Sequence, residues 1–214
     1  MINMKEFNYY ENERQEVLDL IPFKPKNVLE LGCGDGVFGN LLKRKYNCNV
    51  TGIELFDDAA KKAADCLDCV YNESLDDFDF DKLNKYDLII ANDVLEHLVE
   101  PWNVVRQLQG HLEKGGCFMA SIPNVQNHKV ITALLKGRWD YVDAGIMDRT
   151  HLRFFTKNTA IELFSKNGYS VKQVVPLNVD TASKWNISKR ILKFIFPDWY
   201  ALQFEIIAYM PHEK

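Results

Sequence analysis

No stretch of about eighteen consecutive apolar residues occurs in the 214-residue chain, so nothing in it reads as a bilayer-spanning helix. The opening residues, 1–6, turn charged at once and lack the apolar core of an export signal, which makes a cytoplasmic location the expectation. Cysteine is scarce and odd in number: five, without an export signal, read as free thiols rather than a bridged framework. Neither charge dominates, since 26 basic against 30 acidic residues leave −4. That balance argues against a protein whose main partner is nucleic acid. Repeats, low-complexity tracts and linkers are missing too, so 1–214 reads as one domain. What is present, 47% apolar and 26% charged, is a globular composition in a chain long enough to bury about 70% of its unfolded surface.

Short β-branched runs alternate with helical spacing from residue 27 onward. Strands are expected at 28–31, 50–54, 69–71, 86–92 and 117–122, and helices at 36–46, 57–67 and 94–114. Such alternation predicts an α/β fold, a parallel sheet covered by helices on both faces. An amphipathic helix at 11–21, closed by Pro22 and Pro25, precedes it. After Pro123 the rhythm breaks, and 123–153 shows no clear period. A helix at 156–167, capped by Thr156 and stopped by Gly168, and strands at 169–175 and 202–210 complete the chain.

Residues 28–36, Val-Leu-Glu-Leu-Gly-Cys-Gly-Asp-Gly, are a buried strand entering a glycine loop with a helix opening near Val37. Glycine there lets the chain turn sharply and lets a ligand touch backbone, and the helix N-terminus offers free amides. The next strand ends at Glu54, whose carboxylate suits a ribose diol. The glycines alone are ambiguous, because 34–39 also satisfies the dinucleotide pattern G-x-G-x-x-G with Glu54 20 residues past Gly34. Charge separates the two ligands. A dinucleotide brings a pyrophosphate against Asp35, and at about 5 Å and an effective dielectric near 20 each like-charge pair costs about 3 kcal/mol. A nucleoside bearing a sulfonium and an ammonium meets no such repulsion, and Glu30 is placed to hold the ammonium. The competing structural reading is a glycine-rich turn with no ligand.

These residues resemble the class I S-adenosylmethionine-dependent methyltransferases. Residues 28–36 resemble the family's first motif, 52–54 its acidic second-strand end, 86–98 its fourth-strand motif and 112–116 the turn before its fifth strand. The resemblance covers about 5–175. It implies a Rossmann-like, seven-stranded, mostly parallel sheet with the last strand antiparallel beside the fifth. It implies S-adenosyl-L-methionine as cofactor and S-adenosyl-L-homocysteine as product. Carried over by position, it makes Gly32, Gly34 and Gly36 the cofactor loop, Glu54 the ribose ligand, Leu55 the adenine contact and Glu73 the partner of the adenine amino group. Asn92 and Asp93 would line the floor near the methyl group. Tyr9, Tyr10 and Arg14, within 1–26, resemble an N-terminal lid closing on the methionine end, against the reading of a plain amphipathic helix.

The acceptor is expected in the 123–153 insertion, beyond the carboxyl ends of the strands. Its close, Gly-Arg-Trp-Asp-Tyr at 137–141 and Asp-Arg-Thr-His-Leu-Arg-Phe-Phe-Thr at 148–156, resembles a bacterial subgroup associated with polysaccharide and sugar modification. Asn124, Arg138, Trp139, Tyr141, Asp148, Arg149 and Arg153 are the candidate substrate contacts, and a carbohydrate hydroxyl is the expected acceptor. His151 is the candidate base, with loop anchoring as its alternative; His97, one helical turn from Asp93, is the second. The Asn-Pro-Pro-Tyr pattern and a Pro-Cys nucleophile are both missing, which removes two nucleobase chemistries. Cys66 and Cys69 form an isolated pair, so no metal is implied. Residues 181–199 carry Lys184, Lys189, Arg190 and Lys193 without an acid through 196, reading as a basic helical insertion open to weak peripheral membrane contact or plain packing. Three alternatives stand beside O-methylation of a sugar: a quinone-like or other aromatic acceptor, a cofactor-binding protein without chemistry, and an NAD oxidoreductase.

Overall fold

The computed structural model describes residues 14–179 and 194–211. Seven strands, β1 (Asn27–Leu31), β2 (Asn49–Ile53), β3 (Cys69–Tyr71), β4 (Tyr86–Asn92), β5 (Leu112–Pro123), β6 (Ser170–Leu177) and β7 (Gln203–Tyr209), form one sheet in the order β3-β2-β1-β4-β5-β7-β6. The first five run parallel, and β7 lies antiparallel between β5 and β6, as the resemblance implied. Alternation along each strand feeds two cores. Leu29, Leu31, Ile89 and Phe118 face α4 (Pro101–Leu108) and α6 (Lys157–Ser165), whose Val105, Leu108, Leu163 and Phe164 cover them. Val28, Val50, Leu88 and Ile90 face the other way. There α1 (Gln15–Leu18), α2 (Val37–Tyr46) and α3 (Asp57–Ala64) contribute Val17, Phe38, Leu42 and Ala63. The run 88–91 is fully buried, as a central parallel strand covered on both sides must be. Phe118, Phe164 and Tyr169 meet edge to face, and the Tyr169 hydroxyl donates to the Val105 carbonyl at 2.9 Å.

Two expectations are corrected. Residues 94–114 are not one helix: a 3-10 turn at Leu95–His97, α4 and a second 3-10 turn at Gln109–His111 divide them, and β5 begins at Leu112. Pro101 stands at the first turn of α4, where its missing N–H is harmless but a helix arriving from upstream must stop. The Glu96 carbonyl is also diverted, taking the amides of Leu152 and Arg153 at 2.9 Å each. Within 123–153 lies α5 (His128–Leu135), opened by Asn127, whose side chain accepts the Lys129 amide. The helix α6 does start from Thr156, in a reciprocal box with Thr159. The lid tyrosines Tyr9 and Tyr10, residues 11–13 and Lys184, Lys189, Arg190 and Lys193 lie outside the described residues, and of the helix expected at 11–21 the described part is helical only over Gln15–Leu18. No described helix is long and apolar enough to cross a membrane.

The β1–α2 loop leaves no room for a side chain at Gly32 or Gly36. Gly36 caps α2 at φ +78°, and a Cβ there would lie 2.7 Å from Cys66 Sγ and 2.9 Å from the Ala63 Cα. Gly115, at φ +77°, has nothing within 4 Å of such an atom. Gly36→Ala is expected to destabilise by about 2–5 kcal/mol, combining the left-handed backbone with overpacking. Gly115→Ala, carrying only the backbone part, is expected to lose about 1–2 kcal/mol. Urea unfolding of the two variants checks the difference.

Candidate active site

The site residues gather at the carboxyl ends of β1, β2 and β4, where an open parallel sheet leaves a crevice. Glu54, just past β2, is buried and accepts two backbone amides, from Gly34 at 2.8 Å and Phe56 at 2.9 Å. The carboxylate thereby locks the glycine loop to the β2 end. Gly32, at φ +58°, sits so near Val94 that a Cβ would come within 2.6 Å of its Cγ2. Leu55 and Phe56, exposed by 56% and 59%, present apolar faces beside Glu54. Glu73 is tied by Lys82 at 2.7 and 2.9 Å, while Asn72 donates to the carbonyls of Glu54 and Leu55. Asn72 thus ties this rim to the end of β2, with Glu73 beside it on the surface.

Two parts of the charge reading change. Asp35 is not a free carboxylate, because Lys62 donates to it at 2.8 Å. Glu30 is buried beneath α2, one oxygen without a donor and the carboxyl against Gly39, where a Cβ would approach to 2.6 Å. Burial pushes its pKa up to about 8, against a bond from the Gly39 amide. At neutral pH it holds its proton and does not reach the loop surface, so it is not positioned to grip an ammonium directly.

At the end of β4 the Asn92 amide is buried with neither polar atom partnered, an orphan of the kind a bound polar ligand satisfies. Asp93 follows in the left-handed region at φ +54°. Its carboxylate receives Arg14, Gln203 at 2.6 Å and Ser121 at 3.2 Å. Arg14 also bonds Glu16 at 2.8 Å, so its guanidinium is already engaged on the floor of the crevice. Burial raises the Asp93 pKa, opposed by Arg14. Glu205, on β7, is wholly buried with both oxygens unpartnered, and burial pushes it up to about 8. Nothing in the linear pattern marked it, since it falls in an otherwise apolar strand.

The insertion folds back across this end. His151 is 9% exposed, its Nδ1 bonded to the Ile146 carbonyl at 3.0 Å, and burial lowers its pKa. His97 lies in a 3-10 turn rather than one helical turn above Asp93, and its Nδ1 meets the Thr150 carbonyl at 3.2 Å. The two rings stand edge to face, centroids 4.7 Å apart. Glu96, 1% exposed, points its Oε1 to within 3.9 Å of His151 Nε2. The convergence of Glu96, His97 and His151 was not foreseen, because it needs the loop to return. A cleft of about 480 Å³ beside them is lined by Tyr141, Arg149, His151, Leu152 and Phe154. Trp139 packs edge-on to Phe154 at 5.3 Å, next to this cleft.

Four predicted substrate contacts are engaged in holding the structure. Asn124, fully buried, donates to the Asp198 and Ala201 carbonyls and accepts the Gln126 amide, so its amide is fully used. Asp148 accepts both the Thr150 amide and hydroxyl, closing the turn before His151. Arg153 turns away to the Val99 carbonyl and the Trp102 face. Arg138 is spread on the surface against Asp140 at 2.7 Å. Only Tyr141 and Arg149 line the cleft, Arg149 with Asp143 beside it at 2.5 Å. All five cysteines are free.

Residues 4–174 match a family model described as a methyltransferase domain. The chain is 34% identical over 121 residues to a trans-aconitate 2-methyltransferase of Agrobacterium fabrum, covering 54% of this chain and 47% of that one. It is 27% identical over 157 residues to a ubiquinone biosynthesis O-methyltransferase of Coxiella burnetii, covering 66% and 63%. It thus spans about half to under two thirds of the length of these relatives. Among solved structures, a SAM-dependent methyltransferase from Archaeoglobus fulgidus superposes with a TM-score of 0.67 at 15% identity, over 91% of each chain. One from Thermotoga maritima, a possible histamine N-methyltransferase, gives 0.66 at 17%, over 94% and 89%. These two likenesses establish the fold.

A carboxyl whose pKa is higher folded than unfolded binds extra protons in the native state, so it lowers stability as pH rises between the two values. For Glu205 that window runs from 4.5 to about 8. Glu205→Gln is therefore expected to gain stability relative to the parent as pH rises through this window, and to hold that gain above it. Urea unfolding of both proteins at pH 5 and pH 9 measures it; an equal difference at both would show that Glu205 does not titrate there.

Proposed function

The chain belongs to the methyltransferase domain family, and from that membership we propose that it methylates an oxygen atom of a small, planar, negatively charged acceptor using S-adenosylmethionine. The observation that carries the acceptor class is the cleft itself: two aromatic rings and a leucine flank one arginine and one buried neutral histidine. The rings suit a flat unsaturated body, Arg149 an anionic group, and His151 a proton-bearing oxygen. The relatives named for trans-aconitate and for ubiquinone biosynthesis agree with a small, non-carbohydrate acceptor.

The residues at the strand ends fit the cofactor. Glu54 offers a buried carboxylate bonded directly to the glycine loop, Leu55 and Phe56 an apolar platform, and Asn92 an unsatisfied amide. When bound, S-adenosylmethionine supplies an electrophilic methyl group on a positive sulfur. Everything else falls to the chain. The Ile146 carbonyl can only accept, so His151 Nδ1 carries the hydrogen and Nε2 keeps its lone pair. Burial keeps that imidazole neutral at pH 7, ready to take the acceptor's proton. Tyr141 and Phe154 fix the plane of the acceptor, and such fixation is itself a large part of the rate in a direct displacement. A carbohydrate acceptor is the second reading, carried by Trp139 and Tyr141, exposed by 40% and 54%, whose faces would also stack on a sugar ring.

S-adenosylhomocysteine is expected to raise the unfolding temperature and NADH to leave it unchanged, a ligand at 100 times its Kd adding about 2.7 kcal/mol. His151→Ala should keep that shift and lose about 10²–10⁴ in kcat. Mass spectrometry of products from unsaturated carboxylates, phenols and nucleotide sugars separates the two acceptor classes. The reading fails if S-adenosylhomocysteine gives no shift.

A further inference from the structure

We propose that Glu96, His97 and His151 form a binding site for one divalent transition-metal ion of the zinc or manganese kind, at the wall of the acceptor cleft. One ligand atom of each lies within 4.8 Å of the others. Both histidines use Nδ1 on a backbone carbonyl, of Thr150 and of Ile146. Nδ1 therefore carries the hydrogen in each ring, and each Nε2 presents a lone pair. That is how imidazoles are fixed when they serve as metal ligands. Glu96 is 1% exposed, and apart from its own backbone amide neither carboxyl oxygen meets a donor among the described residues.

Three acceptors thus converge with no donor between them. A buried carboxyl in such company needs a shared proton or a cation. The 3.9 Å between Glu96 Oε1 and His151 Nε2 is too long for a hydrogen bond. It does fit two ligands of one ion, each about 2.1 Å from it and so at most about 4.2 Å apart. The widest pair must draw in by roughly half an ångström, within the reach of side-chain rotation. Asp93 and Asp148 add negative charge around Glu96, and Arg14 opposes them. The scaffold is firm, since the amides of Leu152 and Arg153 fasten the His151 loop to the Glu96 carbonyl.

Two imidazoles and one carboxylate select zinc, manganese or ferrous iron over calcium and magnesium, and leave coordination positions open. Because His151 lines the cleft, those positions face the acceptor. An ion there would bind the acceptor oxygen and lower its pKa, and the His151 lone pair would then serve as ligand instead of base. This last consequence rests on the methyl-transfer reading; ion binding does not.

The test is a titration of the chelator-stripped full chain with Co²⁺, followed by its visible absorption. One equivalent is expected to saturate the bands. Glu96→Gln and His151→Ala are each expected to weaken Co²⁺ binding by about tenfold or more. His111→Ala, outside the cluster, should bind as the parent does. The S-adenosylhomocysteine thermal shift, run on every variant, reports folding and the cofactor site separately. Absence of a saturable one-equivalent signal in the parent overturns the proposal, whatever the variants do. Equal affinity in Glu96→Gln and His151→Ala also overturns it. A metal signal with no S-adenosylhomocysteine shift would sink the methyl-transfer reading alone.

Discussion

Two backbone amides, those of Leu152 and Arg153, converge on one carbonyl oxygen, that of Glu96, and the path of the 123–153 insertion follows from this contact. The carbonyl spent in this way cannot continue a helix after β4, so the chain there makes a single 3-10 turn. The same contact draws the far end of the insertion over the sheet, bringing His151 against His97 and Glu96. Arg153, one residue further on, is swung outward to Val99. A backbone bond contributes only about 1 kcal/mol net. Its weight here lies in position, because it fixes where a thirty-residue excursion lands.

The crevice holds an unusual share of buried acid. Glu54 is compensated, by two amide donors, and Asp93 by Arg14, Gln203 and Ser121. Glu30 and Glu96 have no more than one backbone amide each and Glu205 has no donor among the described residues, and burial raises each. An uncompensated buried charge costs several kcal/mol, more than any single pairing nearby returns, so burial favours the neutral form of each. The negative lining inferred from the linear pattern is real only in part. Asp35 is offset by Lys62, and Glu30 is hidden under α2. Glu54 alone of the three is a buried carboxylate held by backbone amides beside the loop.

Much of the fold could be read from the chain, and the reasons are local. The strands at 69–71 and 86–92 coincide with β3 and β4 to the residue, because glycine, polar turns or charged helices bound short apolar runs. The glycine loop and Glu54 were legible for the same reason: their spacing is set by one turn and one crossover. The acceptor half was not. Asn124 looked like a ligand for hydroxyls, yet its amide closes on the Asp198 and Ala201 carbonyls, some seventy-five positions away. The helix α5 escaped notice because its apolar residues end in Leu134 and Leu135, exposed by 51% and 83%, which blurs any periodicity. Glu205 and Glu96 were not singled out, because only the tertiary arrangement sets Glu205 near Arg14 and Glu96 near His151.

Asn124 and Asn127 both grip the Ala201 carbonyl, and the Leu202 carbonyl takes the Asn124 amide in return. The next residue, Gln203, bonds Asp93 on the opposite side of the crevice. A chain of hydrogen bonds therefore runs from the root of the 123–153 insertion, through three consecutive residues, to Asp93 at the end of β4. The insertion and the Asp93–Arg14 pair are thus anchored to one short segment, the lead-in to β7, rather than to separate parts of the fold.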